Sequence, residues 1–241
     1  MGGTLVDQIE EFVDERHKGW CVHCATWIDQ VESNRDHVPS KSLLRKPYPE
    51  NLPTVDVCKS CNERFSVDEE YFAAVIGCVL SGSTDPDRQH DSRVHRLLIR
   101  SPKLRQRIEN ARTESRTLFD DEPRILWVPE RERVERVILK NARGHAYYEY
   151  GEPMLEPPAR IWFTPLELLK PEERSQFEDV QRNIWPEVGS RMLTRVVTGQ
   201  DLWDGWVIAQ DDVYRYAVVP EGRLMVRSVI HEYLATEVLW D

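Results

Sequence analysis

The sequence lacks a run of about eighteen apolar residues, the length that a helix needs to cross the hydrocarbon core of a bilayer. At the N-terminus it also lacks the basic stretch followed by an apolar stretch that marks a secretory signal. Internal repeats and low-complexity tracts are absent as well, and an apolar fraction of 40% is typical of a folded chain. We therefore expect no membrane partner and a cytoplasmic location, where thiols stay reduced.

An excess of positive charge is also lacking. The chain carries a formal net charge of −10, which argues at first against a nucleic-acid partner because phosphates require a local positive potential. The charge is uneven, however, and the stretch from Asp91 to Thr117 holds eight basic residues against three acidic ones. An acidic protein with one basic stripe can still bind DNA, so the net charge leaves the partner open.

Cysteine is scarce but ordered. Four of the five cysteines form two Cys-x-x-Cys pairs, Cys21 with Cys24 and Cys58 with Cys61. Each pair has the short spacing that lets two thiolates reach one ion, and two pairs complete a tetrahedral Zn²⁺ site. Disulfides are the alternative, which a reducing compartment disfavours. Cys78 lies in an apolar run and is expected to be a buried helical thiol.

The two cysteine pairs bracket the dipeptide Asp36-His37, and Asn62 follows the last cysteine directly. Histidine has the unperturbed pKa that suits a general base acting on water near neutral pH. A carboxylate from Asp36 and an amide oxygen from Asn62 are ligands that Mg²⁺ or Mn²⁺ accepts. The alternatives without a catalytic role are that His37 is a surface histidine and that Asn62 caps the start of a helix.

The pattern Cys21-x-x-Cys24, Asp36-His37-x-Pro39, Asn51-Leu52, Cys58-x-x-Cys61-Asn62 resembles the HNH endonuclease family. The resemblance covers roughly residues 19 to 80. It implies a zinc-stapled ββα-metal finger in which His37 is the general base and Asp36 and Asn62 bind the catalytic ion. It also implies that Asn51 orders the loop. The chain departs from many members at Ser40-Lys41 and Arg64-Phe65, where glycines and a later lysine are common in the family.

Basic residues within and after this finger are candidates for contact with nucleic acid, and solvated faces are their alternative. The candidates are Lys41, Lys59, Arg64, Arg96, Arg100, Lys103 and Arg107.

The sequence predicts an α+β protein with a zinc-stapled ββα-metal (HNH) finger, a basic helical connector and a C-terminal α+β domain that contains an antiparallel β-meander. The predicted domains are an N-terminal helix (1–18), a nuclease domain (19–82), a linker with a basic helical segment (83–118) and a C-terminal domain (119–241). Within them, Ser66-x-x-Glu69 is a capping-box pattern that predicts a helix from there to about Leu80. A basic helix is predicted over Arg93–Ser115 with a break near Ser101-Pro102, and another helix from Glu130 to about Tyr148.

These patterns favour a metal-dependent endonuclease that hydrolyses DNA, with a role in restriction or anti-phage defence expected from the habits of the family. Two alternatives stay open: a nuclease directed at RNA, and a zinc-stapled module that binds nucleic acid or protein without cutting. The C-terminal domain would supply target recognition, a homodimer contact or a contact with a partner protein.

Overall fold

The computed structural model describes residues 19–115, 124–180, 185–220 and 223–241. These residues belong to two compact units: one combines residues 19–64 with Ile138–Asp241, and the other is Phe65–Val137. The predicted helix over residues 1–18 and the end of the predicted linker lie outside the described residues. The domain boundaries expected from the sequence stay predictions.

Six α-helices and ten strands are present in the described residues. The helices are α1 (Lys59–Ser81), α2 (Ser92–Arg100), α3 (Pro102–Asn110), α4 (Arg131–Tyr150), α5 (Pro171–Glu178) and α6 (Arg191–Thr198). The strands are β1 (Ser33–His37), β2 (Thr54–Cys58), β3 (Arg112–Ser115), β4 (Arg124–Trp127), β5 (Arg160–Pro165), β6 (Leu202–Trp203), β7 (Trp206–Gln210), β8 (Tyr214–Pro220), β9 (Leu224–Ile230) and β10 (Leu234–Trp240). The predicted α+β class is confirmed.

A short antiparallel hairpin and the helix after it carry the motif residues. In the hairpin of β1 and β2, Ser33 pairs with Cys58 and His37 pairs with Thr54. The chain enters α1 directly after Cys58, so the element order is strand, strand, helix. The sequence predicted β2 from its alternating valines, and the long proline-bearing connection before it contains only turns and a short 3-10 segment.

The start of α1 differs from the prediction. The capping-box pattern at Ser66 placed the helix start there, but α1 begins at Lys59 and Ser66 lies inside it. A Cys-x-x-Cys pair that must turn both thiols toward one point is well served by a helical turn, which explains the earlier start. The end of the helix, predicted near Leu80, is confirmed at Ser81.

In the unit Phe65–Val137, buried charge and close packing hold the helices. Asp68 accepts hydrogen bonds from Nε of Arg133 and Nε of Arg136, each at 2.6 Å. The predicted break in the basic helix is confirmed, because α2 ends at Arg100 and the Ser101 side chain caps α3. The predicted continuation to Ser115 is wrong, since residues 112–115 form β3, which pairs with β4.

The C-terminal residues form one six-stranded antiparallel sheet with the order β5-β10-β9-β8-β7-β6. The run from β7 to β10 is the predicted β-meander, which is confirmed. One face of the sheet packs on α5 and its flanks in a core that includes Phe177, Trp206, Val219 and Val229. Among the described residues, no helix combines the length and apolar character needed to cross a membrane.

Candidate metal centre and nuclease site

Four thiols converge where the hairpin meets α1. The Sγ atoms of Cys21, Cys24, Cys58 and Cys61 all lie within 4.8 Å of one another. All four cysteines are free, and the Sγ atoms of Cys24 and Cys58 are 3.6 Å apart. Sulfur atoms at this spacing are too far apart for disulfides and suit a tetrahedral Zn²⁺ with bonds of about 2.3 Å. The cluster is therefore compatible with zinc, as the sequence predicted.

The turn that carries the first two thiols is closed by its backbone. The Cys21 amide donates to the Thr26 carbonyl and the Ala25 amide donates to the Cys21 carbonyl, both at 2.9 Å. Ala25 adopts a positive φ of 59° to complete the turn. The rings of Trp20 and Trp27 pack edge to face across its base, with centroids 5.3 Å apart. This turn presents Cys21 and Cys24 on one side, toward the end of β2.

The thiols differ in how readily they ionise. Burial alone would raise the pKa of Cys58, but hydrogen bonds with Ser60, Cys61 and Cys24 lower it to about 6. Burial raises the pKa of Cys21 and of Cys61. A metal ion bound by the four thiols would hold them in the thiolate form.

Asp36 and His37 are the last two residues of β1, and both are half-buried. Burial is the main reason that the pKa of His37 lies below its ordinary value, and the charges of Lys41 and Lys140 add to the shift while Asp36 opposes it. A lowered pKa favours the neutral imidazole, which is the form that accepts a proton. Asp36 and His37 are neighbours in a strand, where successive side chains point to opposite faces.

The partner of Asp36 is a residue that sequence reasoning missed. Lys140 of α4 is 3% exposed, and its Nζ lies 2.7 Å from Oδ2 of Asp36. The same Nζ donates a hydrogen bond to Oγ of Ser40 at 3.0 Å, between residues 100 positions apart in the chain. The available signal was a lysine next to the apolar stripe of a predicted helix, which does not reveal the partner.

Other residues of α4 fasten the same loop. The side-chain oxygen of Asn141 accepts from the backbone amide of Ser40 at 2.8 Å and from its hydroxyl at 3.2 Å. Arg143 donates to the His23 carbonyl at 3.2 Å, next to the zinc cysteines. The loop after β1 and the cysteine turn are therefore both held by one helix from outside the finger.

Comparison of the chain with known protein families, with curated proteins and with solved structures finds no match. The assignment of a metal site therefore rests on the residues of this chain alone. The four-cysteine set is supported as a metal site by its geometry, whereas the roles of Asp36, His37 and Asn62 stay predictions.

The remaining predicted site residues, the ligand Asn62 and the loop-ordering Asn51, lie in different parts of the finger. Asn62 is half-buried in the first turn of α1, immediately after Cys61, and Asn51 is half-buried in the turn before β2. A hard divalent ion accepts the carboxylate of Asp36 and the amide of Asn62, and Mg²⁺ with so few protein ligands keeps several waters. In the described part of the chain, the cysteines are the only cluster of three or more Asp, Glu, His or Cys ligand atoms. Asp36 and Asn62 thus offer oxygen atoms of the kind that Mg²⁺ accepts, and the described carboxylates and histidines do not form a cage of three or more ligands around such an ion.

The basic candidates for phosphate contact divide into two groups. Lys59 pairs with Glu32 at 2.6 Å, Arg100 pairs with Glu70 at 2.9 Å and Arg107 pairs with Glu130 at 2.6 Å, so their charge is partly compensated. Four others are exposed on the surface: Lys41, Arg64, Arg96 and Lys103. The predicted basic stripe is therefore less positive than its sequence indicates, and contact with nucleic acid stays a prediction.

Proposed function

We propose that the protein is a metal-dependent endonuclease of the HNH type that hydrolyses phosphodiester bonds in DNA. The observation that carries the proposal is the arrangement of the motif. Asp36-His37 ends one strand, the paired strand runs directly into the helix that bears Asn62, and four clustered thiols join the beginning and end of the segment.

In the proposed reaction, neutral His37 accepts a proton from the attacking water. Asp36 and Asn62 would hold a divalent ion, which would supply positive charge against the negative charge that develops on the phosphate and the leaving oxygen. Asn51 orders the loop in front of β2, and exposed cations such as Lys41 and Arg64 contact the DNA backbone. The C-terminal domain supplies target recognition, a homodimer contact or a contact with a partner protein. The proposed activity agrees with a role in restriction or anti-phage defence.

The decisive test is cleavage of plasmid DNA by purified protein with Mg²⁺ or Mn²⁺. A His37→Ala variant is expected to lose activity by a factor on the order of 10² to 10⁴, which is the usual contribution of a general base. His90→Ala is the matched control, since His90 is exposed and lies outside the finger. Equal zinc content in the wild type, His37→Ala and His90→Ala establishes that the finger is intact. Undiminished cutting by His37→Ala contradicts the proposal.

One observation favours a second candidate, a zinc-stapled module that binds nucleic acid or protein without cutting. Oδ2 of Asp36 is held by the Lys140 ammonium, so the carboxylate already has a cation beside it. This candidate predicts tightly bound zinc and no second, EDTA-sensitive ion.

The substrate can be DNA or RNA, because the proposed chemistry does not require a 2′-hydroxyl. Parallel incubation with matched DNA and RNA separates a DNA nuclease from one directed at RNA.

A further inference from the structure

The positive charge beside Asp36 is buried and comes from outside the finger. Lysine is among the residues least often buried in full unless it is paired. Lys140 is 3% exposed, while the side chain of its partner Asp36 is 13% exposed. The contact therefore lies at the inner end of the proposed metal site, where an ion coming from solvent would meet the remaining Asp36 oxygen.

The charge of Lys140 has a direct consequence for a divalent ion on the same carboxylate. Two cations that share one carboxylate repel each other, and the repulsion is stronger at a half-buried site than in water. Because Oδ2 lies 2.7 Å from Nζ, Oδ1 is the oxygen left for the ion. We propose that Lys140 is a positioning residue that assigns Oδ1 of Asp36 to the divalent ion and weakens the binding of that ion. This inference rests on the proposed function and names a regulator of the same site.

A neighbouring contact separates this role from simple support of the loop. Asn141 holds Ser40 through two hydrogen bonds, and Lys140 holds the same Ser40 hydroxyl. Both residues fasten the loop, but only Lys140 brings a charge to Asp36. Loss of Asn141 therefore reports what weaker fastening does to the ion, and loss of Lys140 reports fastening and charge together.

The experiment measures Mn²⁺ binding to zinc-loaded full-length protein by electron paramagnetic resonance. Lys140→Met is expected to bind Mn²⁺ on the order of tenfold more tightly than the wild type, since the competing cation is gone. Lys140→Gln, which keeps a donor for Ser40 without the charge, is expected to behave alike and serves if the methionine variant does not fold. Asn141→Ala and Lys170→Met, the latter a charge removed at the start of α5, are expected to leave Mn²⁺ affinity unchanged. Asp36→Asn identifies the ion that binds at this site.

Each outcome decides between the alternatives. The inference is supported if both Lys140 variants bind Mn²⁺ more tightly than the wild type and the two control variants do not. It is also supported if the Lys140 variants are the only proteins that bind the ion. Unchanged or weaker binding in them overturns it, as does an equal effect of Asn141→Ala. In those cases plasmid cleavage that depends on His37 leaves the proposed function standing. If neither the wild type nor the Lys140 variants bind an ion that Asp36→Asn removes, the inference and the proposed metal chemistry fail together.

Discussion

Among single residues, the most demanding environment is that of Glu149 near the end of α4. Its side chain is fully buried, and both carboxylate oxygens lie 3.1 Å from Nε of Arg195. Tyr216 donates a third hydrogen bond to it at 2.6 Å. Burial alone would lower the pKa of Arg195, but Tyr216 and Glu149 raise it above its ordinary value. The two side chains therefore stabilise each other in a place that water does not reach.

Removing the charge of Glu149 is expected to leave Arg195 with Asp201, at 3.2 Å, as its remaining carboxylate partner. Glu149→Gln should lower the free energy of unfolding by about 3 to 5 kcal/mol, as is usual when a buried ion pair loses one partner. Urea unfolding followed by circular dichroism measures the change. Glu135→Gln on the same helix is the control, because Glu135 pairs with the exposed Arg131 at i,i+4 spacing and such a pair should contribute about 0.5 kcal/mol or less. Equal losses in the two variants would contradict this account.

The same helix shows how far side-chain roles can be predicted from sequence. The predicted helix from Glu130 to about Tyr148 is present as α4, and its buried residues include Val137, Asn141 and His145. Polar residues at core positions indicate that partners must exist, because burial without hydrogen bonds is costly. The partners themselves lie about 70 to 100 positions away in the chain and no local pattern reveals them. Lys140 was therefore missed, whereas the motif residues were found because their spacing is local.

Among the elements, the β1–β2 hairpin is one of two isolated two-stranded sheets in the described residues. It consists of two five-residue strands, and an isolated two-stranded hairpin is marginally stable at best. The thiols of Cys58 and Cys61 tie the end of β2 and the start of α1 to the cysteine turn. A zinc ion held by these thiols would contribute to folding locally, while the six-stranded sheet has an apolar core of its own.

Loss of a zinc ligand is accordingly expected to unfold the finger selectively. Cys58→Ser should lose bound zinc, and backbone amides of β1 and β2 should exchange rapidly with deuterium while those of β8 and β9 stay protected. Metal analysis and hydrogen exchange read by mass spectrometry provide the two measurements. Cys78→Ala is the control, since Cys78 is a buried thiol of α1 outside the cluster. A zinc content unchanged by Cys58→Ser would refute the four-thiol site.

Element boundaries were predictable where local chemistry decides them. The β-meander follows from alternating β-branched and aromatic residues between turn residues, and the break at Ser101 follows from the proline after it. The start of α1 was mispredicted because a capping pattern at Ser66 was weighed without the geometry of the thiols. Helix α6 was not predicted. Its buried residues include Arg191 and Arg195, and charged residues at buried positions interrupt the apolar spacing that indicates a helix.

For the whole molecule, buried ionisable groups set the response of stability to acid. His145 is fully buried on α4, with its ring stacked on Tyr216 and Nε2 3.0 Å from the hydroxyl of Tyr214, both on β8. Arg195 of α6 adds positive charge nearby, and Glu149 and Ser228 complete the polar surroundings through the two tyrosines. Burial, with a smaller contribution from Arg195, lowers the pKa of His145 to about 3.

Folding stability should therefore fall as the pH drops from about 6.5 toward 3. In this range the unfolded chain binds a proton at His145 and the native state does not, so acid favours unfolding. The slope from this residue is up to about 1.4 kcal/mol per pH unit. His145→Gln cannot take up the proton, and its free energy of unfolding should vary less with pH over the same range. Urea titrations at several pH values test this, and parallel curves for the two proteins would contradict it.

Gly144 of α4 lies between Arg143, which contacts the cysteine turn, and His145, which contacts β8. A Cβ atom placed on Gly144 would lie 2.6 Å from a methyl group of Val38, directly after the Asp36-His37 pair. Any side chain at this position would collide with Val38, so Gly144→Ala would require α4 or the loop after β1 to shift. The close approach of α4 to this loop thus depends on the absence of a side chain at Gly144.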